Sequence, residues 1–117
     1  MADNTSDPIV FVGGGEIIQP YQLLLESGAI ADLTDCDVTV EICGRGGAVV
    51  FTLELDDGVT LTAPSPASAT EAHGEWRLTE EQTPQLPLGM IAFARFVVVN
   101  GDEVTMTSYR DFLKRVG

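Results

Sequence analysis

Apolar and polar residues alternate in several short runs of this chain, and this alternation restricts its possible folds more than any other feature. The clearest run covers residues 36–43, in which Val38, Val40 and Ile42 share one side. A period of two is typical of a strand with one face on a core and one in solvent. The glycine-rich segment 44–47 then predicts a hairpin turn, because glycine readily adopts positive φ values.

Comparable runs recur about every ten residues, and each ends in a turn signal. Residues 48–55 predict the return strand of the first hairpin, and Asn100-Gly101 indicates another hairpin between two apolar runs. About 7–9 short strands of this kind are typical of a β-sandwich or a barrel. The sequence therefore predicts an all-β fold, and we expect an antiparallel β-sandwich.

One segment in the middle of the chain has the residue order of a helix start. Thr79-Glu80-Glu81-Gln82 has a hydroxyl side chain, two acids and then a glutamine, which is the pattern of a capping box. Pro84 and Pro87 follow closely and prevent a longer helix. We therefore expect a single helical turn near residues 79–83.

The last segment is compatible with two structures. Tyr109, Phe112, Leu113 and Val116 follow the spacing of one helix face, which favours a short C-terminal helix over residues 108–116. A helix of this length is marginal without packing, so a final strand is the alternative.

Three regions follow from this pattern. Residues 1–19 form an N-terminal arm with a flexible joint at Gly13-Gly14-Gly15, residues 20–107 form the β-sandwich domain, and residues 108–117 form a C-terminal segment. The arm carries Ile9 and Phe11, and it is either an edge strand of its own sheet or a strand lent to a neighbour.

The chain is strongly acidic, with 18 acids against 6 bases and a net charge of −12. Such a charge repels phosphate backbones and anionic lipid heads, so we expect no nucleic-acid partner and no membrane partner. The first 44 residues hold eight acids and no base, whereas residues 110–117 carry +2. This asymmetry serves solubility, or it reflects complementarity to a neighbour or head-to-tail contact between copies.

No run of apolar residues is long enough for a transmembrane helix, and the first residues lack the features of a signal peptide. We therefore expect a protein made in the cytoplasm of its cell.

The chain offers little material for catalysis or metal binding. Its one histidine, His73, lies in a polar segment and is expected to be a solvated loop residue. Cys36 and Cys43 lie too far apart along one strand to form a disulfide; Cys36 is expected to be buried, and Cys43 to face solvent or a neighbour. We predict no catalytic residue, no metal site and no cofactor.

Three segments occur together in one order: residues 31–42, which contain Asp32-Leu33-Thr34, residues 74–87, and the Asn100-Gly101 hairpin. In this combination the chain resembles the small β-sandwich of tailed-phage virion proteins, similar to the N-terminal domain of baseplate upper proteins and tail-fibre adaptors. Asp35 replaces a glycine usual in that family, and Arg95-Phe96 stands where Asp-Leu is usual.

The resemblance implies an immunoglobulin-like β-sandwich with a non-enzymatic, structural role in the virion, in the tail or on the outer surface. Its partners would be other virion proteins of the tail, baseplate or fibre, and it would act as a homo-oligomer or in many symmetric copies. The residues predicted to contact other proteins are Ile9, Phe11, Arg95, Tyr109 and Phe112.

Three other functions are considered. A capsid-surface decoration protein differs from the first hypothesis only in its neighbour. A small-ligand or carbohydrate-binding β-sandwich requires a pocket lined by aromatic side chains. An enzyme requires an activated His73.

Overall fold

The computed structural model describes residues 8–89 and 91–117, without the side chains of residues 45, 91 and 106–110. It contains eight strands: β1 (Ile9–Phe11), β2 (Ile17–Tyr21), β3 (Asp37–Cys43), β4 (Val49–Leu55), β5 (Gly58–Val59), β6 (Gly74–Leu78), β7 (Ile91–Asn100) and β8 (Glu103–Arg115). Two short 3-10 turns, Arg45–Gly47 and Thr83–Gln85, complete the described elements. The all-β prediction is confirmed.

The strands form one mixed sheet in the order β1-β8-β7-β3-β4-β5-β6-β2. Two pairs, β1 with β8 and β4 with β5, are parallel, and the other pairs are antiparallel. The sheet curves into a nearly barrel-shaped layer. The expected antiparallel, immunoglobulin-like sandwich is therefore not confirmed.

Both predicted hairpins are present. Positive φ angles at Gly46 and Gly47 turn the chain between β3 and β4, and Gly101 does the same between β7 and β8. In each case glycine takes the left-handed conformation that costs other residues most.

The interior is filled by the inward faces of these strands. Tyr21 of β2 packs its ring 5.1 Å from that of Phe96 of β7, centroid to centroid. The indole Nε1 of Trp76 on β6 donates a hydrogen bond of 3.0 Å to Oδ2 of Asp111 on β8. Neither pair joins neighbouring strands, so both contacts cross the interior and tie opposite walls of the sheet together.

The predicted helical turn is present and is closed by its own capping contact. The backbone N–H of Thr79 donates to Oε1 of Gln82 at 2.9 Å, which is the contact that the capping-box pattern predicts. The amides of Gln82 and Thr83 donate back to the carbonyl of Thr79, and the 3-10 turn Thr83–Gln85 follows. The prolines hold it to that length.

The C-terminal segment is a strand, so the helix alternative over residues 108–116 is wrong. β8 continues to Arg115 because it has a partner on each side, β7 along most of its length and β1 at its end. Asp111 and Leu113 are buried while Lys114 is exposed, which is the period of a strand. Two ladders of hydrogen bonds stabilise this strand, and a short terminal helix would have had neither.

The arm belongs to its own sheet in this structure, because β1 pairs with residues 113–115 of the same chain. The glycine segment expected to be a flexible joint is hydrogen-bonded. The hydroxyl of Thr83 accepts from the N–H of Gly14 at 3.0 Å and donates to the carbonyl of Gly15 at 2.9 Å. β2 starts directly after it, at Ile17.

Candidate protein-binding surface

The buried position of His73 corrects the prediction of a solvated loop residue. The side chain has no solvent exposure, and its ring stacks on that of Tyr21. The N–H of Leu23 donates to Nδ1 at 3.1 Å, so Nε2 carries the proton and donates it to the carbonyl of Ala31 at 2.7 Å. Both ring nitrogens are hydrogen-bonded to backbone groups, so neither is available as a general base.

Cys43 also departs from its prediction, because it is fully buried. It lies between its cross-strand partners Val49 and Phe93, and a register shift in the β3–β4 ladder occurs beside it. Cys36, expected to be buried, is half-buried and packs against the core. Neither cysteine forms a disulfide.

Among the described residues, no group of three or more histidine, cysteine or acidic side chains is placed to hold a metal ion. The helices of the described chain are all too short to cross a membrane.

One cleft, of about 230 Å³, opens beside the β7–β8 hairpin. Its described lining residues are Leu25, Ala31, Asp32, Leu33, Cys36, Val98, Asn100, Glu103 and Thr105, none of which is aromatic. Burial, and then the carboxylates of Asp32 and Asp35, raise the pKa of the Cys36 thiol. Hydrogen bonds from Thr34 lower the pKa of Asp32. A cleft with two acids and no aromatic ring does not match the carbohydrate-binding alternative.

Three exposed apolar side chains gather where β1 runs beside the end of β8. Val10 is 61% exposed, Val12 54% and Val116 53%. These three residues are called the edge patch below. Apolar residues scattered singly over a surface are ordinary, whereas neighbouring ones on one face form a candidate contact surface.

The pleat of two parallel strands explains why the edge patch forms. Val10 is the register partner of Lys114 on the outer side of the sheet. The pairing of β1 with β8 continues past the ends of both strands. The N–H of Val116 donates to the carbonyl of Phe11, and the N–H of Gly13 donates to the carbonyl of Gly117. Residues two apart share a face of a strand, so Val12 and Val116 continue the row that Val10 and Lys114 begin.

The predicted contact residues fall into three groups. Ile9 and Phe11 of β1 point inward, with Phe11 buried and Ile9 packed against the core. Phe112 lies on the outer side of β8, 6.4 Å from the ring of Phe93 on β7. The side chain of Tyr109 lies outside the described residues.

Arg95 also lies on the outer side of the sheet, and it is paired within the chain. Its Nε and Nη2 both donate to Oε1 of Glu41 on β3, at 2.9 and 2.7 Å. Hydrogen bonding to Glu41 raises the pKa of the Arg95 guanidinium. Each side chain keeps 23% exposure, so the pair forms part of the surface beside the two phenylalanines.

The structure therefore brings Arg95 and Phe112 onto one surface and assigns Ile9 and Phe11 to the core. Sequence reasoning missed the edge patch, although its signal was present. Residues 9–12 are apolar without alternation, which indicates that both faces of this strand carry apolar side chains. One face packs against the core, and the other supplies Val10 and Val12.

No protein-family model, curated protein or solved structure matches this chain.

Proposed function

We propose that this chain is a non-enzymatic structural subunit of a tailed-phage virion, which docks components of the tail, baseplate or fibre in several symmetric copies. The edge patch is its docking surface. The observation that carries the proposal is this cluster of exposed apolar side chains on a regular, hydrogen-bonded part of the sheet.

The composition of the surrounding surface supports binding to protein. Val10 and Lys114 lie side by side, and the half-exposed Phe93 and Phe112 occupy the same outer side of the neighbouring strands. Apolar and aromatic residues with a few cations are typical of protein interfaces. The phage assignment is supported by the sequence resemblance over residues 31–42 and 74–87.

The experiment that tests the proposal is mass spectrometry of purified particles of the phage that encodes the chain. We expect the wild-type protein in intact particles at a multiple-copy stoichiometry. Val10→Ser removes apolar surface from the edge patch, and this variant should be lost from the particles when it replaces the wild type.

The matched control is Val104→Ser, at a strand valine with 62% exposure against 61% for Val10, near the other end of β8. This variant should be incorporated normally. A wild-type protein that is absent from particles overturns the proposal, and equal incorporation of the two variants overturns the role of the edge patch.

A further inference from the structure

We infer that an extended apolar segment of another virion protein inserts as an added strand between β1 and β2. The inference rests on the proposed function in using the edge patch as a docking surface, and it adds how the partner binds there. The backbone of the segment would pair with the free edges of both strands, and its side chains would contact the apolar residues beside them.

A gap separates the two end strands of the sheet. β1 and β2 stand at opposite ends of the strand order, so each has a described partner strand on one side only. A turn closed by a 3.0 Å bond from the N–H of Gly15 to the carbonyl of Val12 brings them next to each other. Nearly all Cα pairs between the two strands are nevertheless more than 8 Å apart. Paired strands lie about 4.8 Å apart, so two strands with one strand missing between them would lie about 10 Å apart.

The gap is a cleft of about 450 Å³ with mainly apolar walls. Its lining consists of residues 9–12 on one side and residues 15–19 on the other. Glu16 is the one charged residue in this lining, and it is ion-paired with Arg77. Because burying an unpaired charge is costly, an uncharged apolar segment fits this cleft better than a charged one.

The free edge of β1 offers backbone hydrogen-bonding groups to such a segment. The carbonyl of Phe11 accepts from the N–H of Val116, so the backbone groups of Phe11 face β8. Successive residues of a strand direct their N–H and C=O groups to opposite sides, and those of Val10 therefore point into the gap. A free edge of this kind is a template for pairing with another chain.

The free edge of β2 faces the same gap. The carbonyl of Tyr21 accepts from the N–H of His73 at 2.8 Å, on the β6 side, so the backbone groups of Ile18 and Pro20 point into the gap. Proline has no N–H, and Ile18 is therefore the donor of this edge while both residues supply acceptors. A strand lying in the gap would find backbone partners on each side.

Apolar side chains flank both edges. Val10 and Val12 of the edge patch line the cleft from β1, and Ile18, which is 52% exposed, lines it from β2. On the inner sides of the same strands, Ile9 and Ile17 belong to the core or pack against it. An inserted apolar segment would therefore gain apolar contact on both of its faces.

A second copy of the chain is a poor occupant of the gap. Two β1 edges would exchange hydrogen bonds only around Val10, because Pro8 lacks an N–H and the carbonyl of Val12 is already used by Gly15. Each copy also carries a net charge of −12, which opposes association. A separate segment avoids both restrictions and reaches β2 as well.

Amide hydrogen exchange of the wild-type chain tests the inference. Mass spectrometry measures the rates at single residues in the isolated chain and in purified phage particles. The amides of Val10 and Ile18 should exchange quickly in the isolated chain and at least about tenfold more slowly in particles, because they donate to the added strand there. Asp102, in an exposed turn, is the control, and its amide should exchange equally fast in both samples.

The variant Val10→Pro distinguishes strand addition from contact through side chains alone. It keeps an apolar side chain and removes the N–H that points into the gap, whereas the matched control Val10→Ile keeps both. β2 already accommodates Pro20 at an edge-facing position. We expect incorporation of Val10→Pro into particles to fall at least about tenfold and that of Val10→Ile to match the wild type. Circular dichroism of both isolated variants checks that they are folded.

Wild-type amides of Val10 and Ile18 that exchange equally fast in both samples overturn the inference, and so does normal incorporation of a folded Val10→Pro chain. If Val10→Pro does not fold, the wild-type exchange rates decide. Protection at Val10 that rises with the concentration of the isolated chain would overturn the assignment to another protein, because a second copy would then fill the gap. A chain that is absent from particles overturns the proposed function and this inference with it, whereas a chain that is present but unprotected overturns the inference alone.

Discussion

The imidazole of His73 connects its own segment to two segments that lie 42 and 50 residues earlier in the chain. It accepts from Leu23, donates to Ala31 and stacks on Tyr21, all without solvent exposure. The segments before β3 and before β6 are thereby fixed to β2. A polar side chain buried in this way stabilises the fold only while both of its hydrogen bonds are made.

We expect His73→Ala to lower the free energy of unfolding by about 3 kcal/mol, because it leaves a cavity and two unsatisfied backbone groups. Urea denaturation followed by circular dichroism measures this change. Ser65→Ala, at an exposed position of the adjoining loop, should change stability by less than about 0.5 kcal/mol. A His73→Ala protein as stable as this control would contradict the structural role.

The thiol of Cys36 is affected by its acidic neighbours. Its pKa is raised by burial first, and then by Asp32 and Asp35. Since the thiolate is the reactive form, a raised pKa means less thiolate and slower alkylation at pH 8 than for a free cysteine.

Asp35→Asn should therefore speed alkylation of Cys36 by iodoacetamide at pH 8, roughly twofold to fivefold, since it removes one negative charge beside the thiol. Asparagine suits this position, where φ is +60°. Mass spectrometry of the modified peptide gives the rate. Asp56→Asn, at another left-handed aspartate (φ +65°), is the matched control and should leave the rate unchanged. Equal rates in both variants would rule out the effect of Asp35.

At the scale of elements, the connection between β1 and β2 depends on contacts from elsewhere in the chain. The buried hydroxyl of Thr83 holds two of the three glycines. Arg115 donates to the carbonyls of Pro84, Leu86 and Gly117 from the same end of the molecule. The 3-10 turn, the C-terminus and the glycine segment are therefore fastened together, which holds β1 in position for the edge patch.

Thr83→Val keeps the shape of the side chain and removes both hydrogen bonds, so we expect a loss of about 2 kcal/mol of stability. Amide hydrogen exchange at Gly14 should also become faster. Thr83→Ser retains the hydroxyl and serves as the control, with a loss of about 1 kcal/mol for the methyl group and slow exchange at Gly14. The importance of the hydroxyl would be refuted if the valine variant kept slow exchange at Gly14.

At the scale of the whole molecule, contacts across the barrel join the half formed by β1, β8, β7 and β3 to the half formed by β4, β5, β6 and β2. The hydrogen bond between Trp76 and Asp111 joins β6 to β8, and the ring contact between Tyr21 and Phe96 joins β2 to β7. The buried apolar residues form a single cluster to which both halves contribute. A shared core of this kind is expected to unfold cooperatively.

Trp76 is the one tryptophan of the chain and is fully buried, so its fluorescence reports on this core. We expect its unfolding transition in urea to coincide with that of far-ultraviolet circular dichroism, at one midpoint and one slope. Two separate midpoints would show that the half containing β6 unfolds independently of the half containing β8.

Much of the secondary structure could be predicted because its causes are local. Alternation located most of the strands, the glycines located both hairpins, and the Thr79-to-Gln82 pattern located the helical turn. Arg95 and Phe112, which were predicted to contact other proteins, lie on the outer side of the sheet, and their contact with a partner stays a prediction. The unalternating run of residues 9–12 indicated an apolar outer face on β1, but the edge patch as a whole could not be found from such patterns, since Val12 and Val116 are brought together only by the pairing of β1 with β8.

By itself, then, the sequence determined an all-β chain with a strongly acidic surface, since strand period, turn chemistry and charge are properties of neighbouring residues. The tertiary structure decided that residues 108–115 form a strand, that His73 and Cys43 are buried, and that β1 pairs parallel to β8. These outcomes depend on partners that lie many residues away. A ladder or a buried hydrogen bond forms only where the folded chain places both of its members together, so no local pattern contains it.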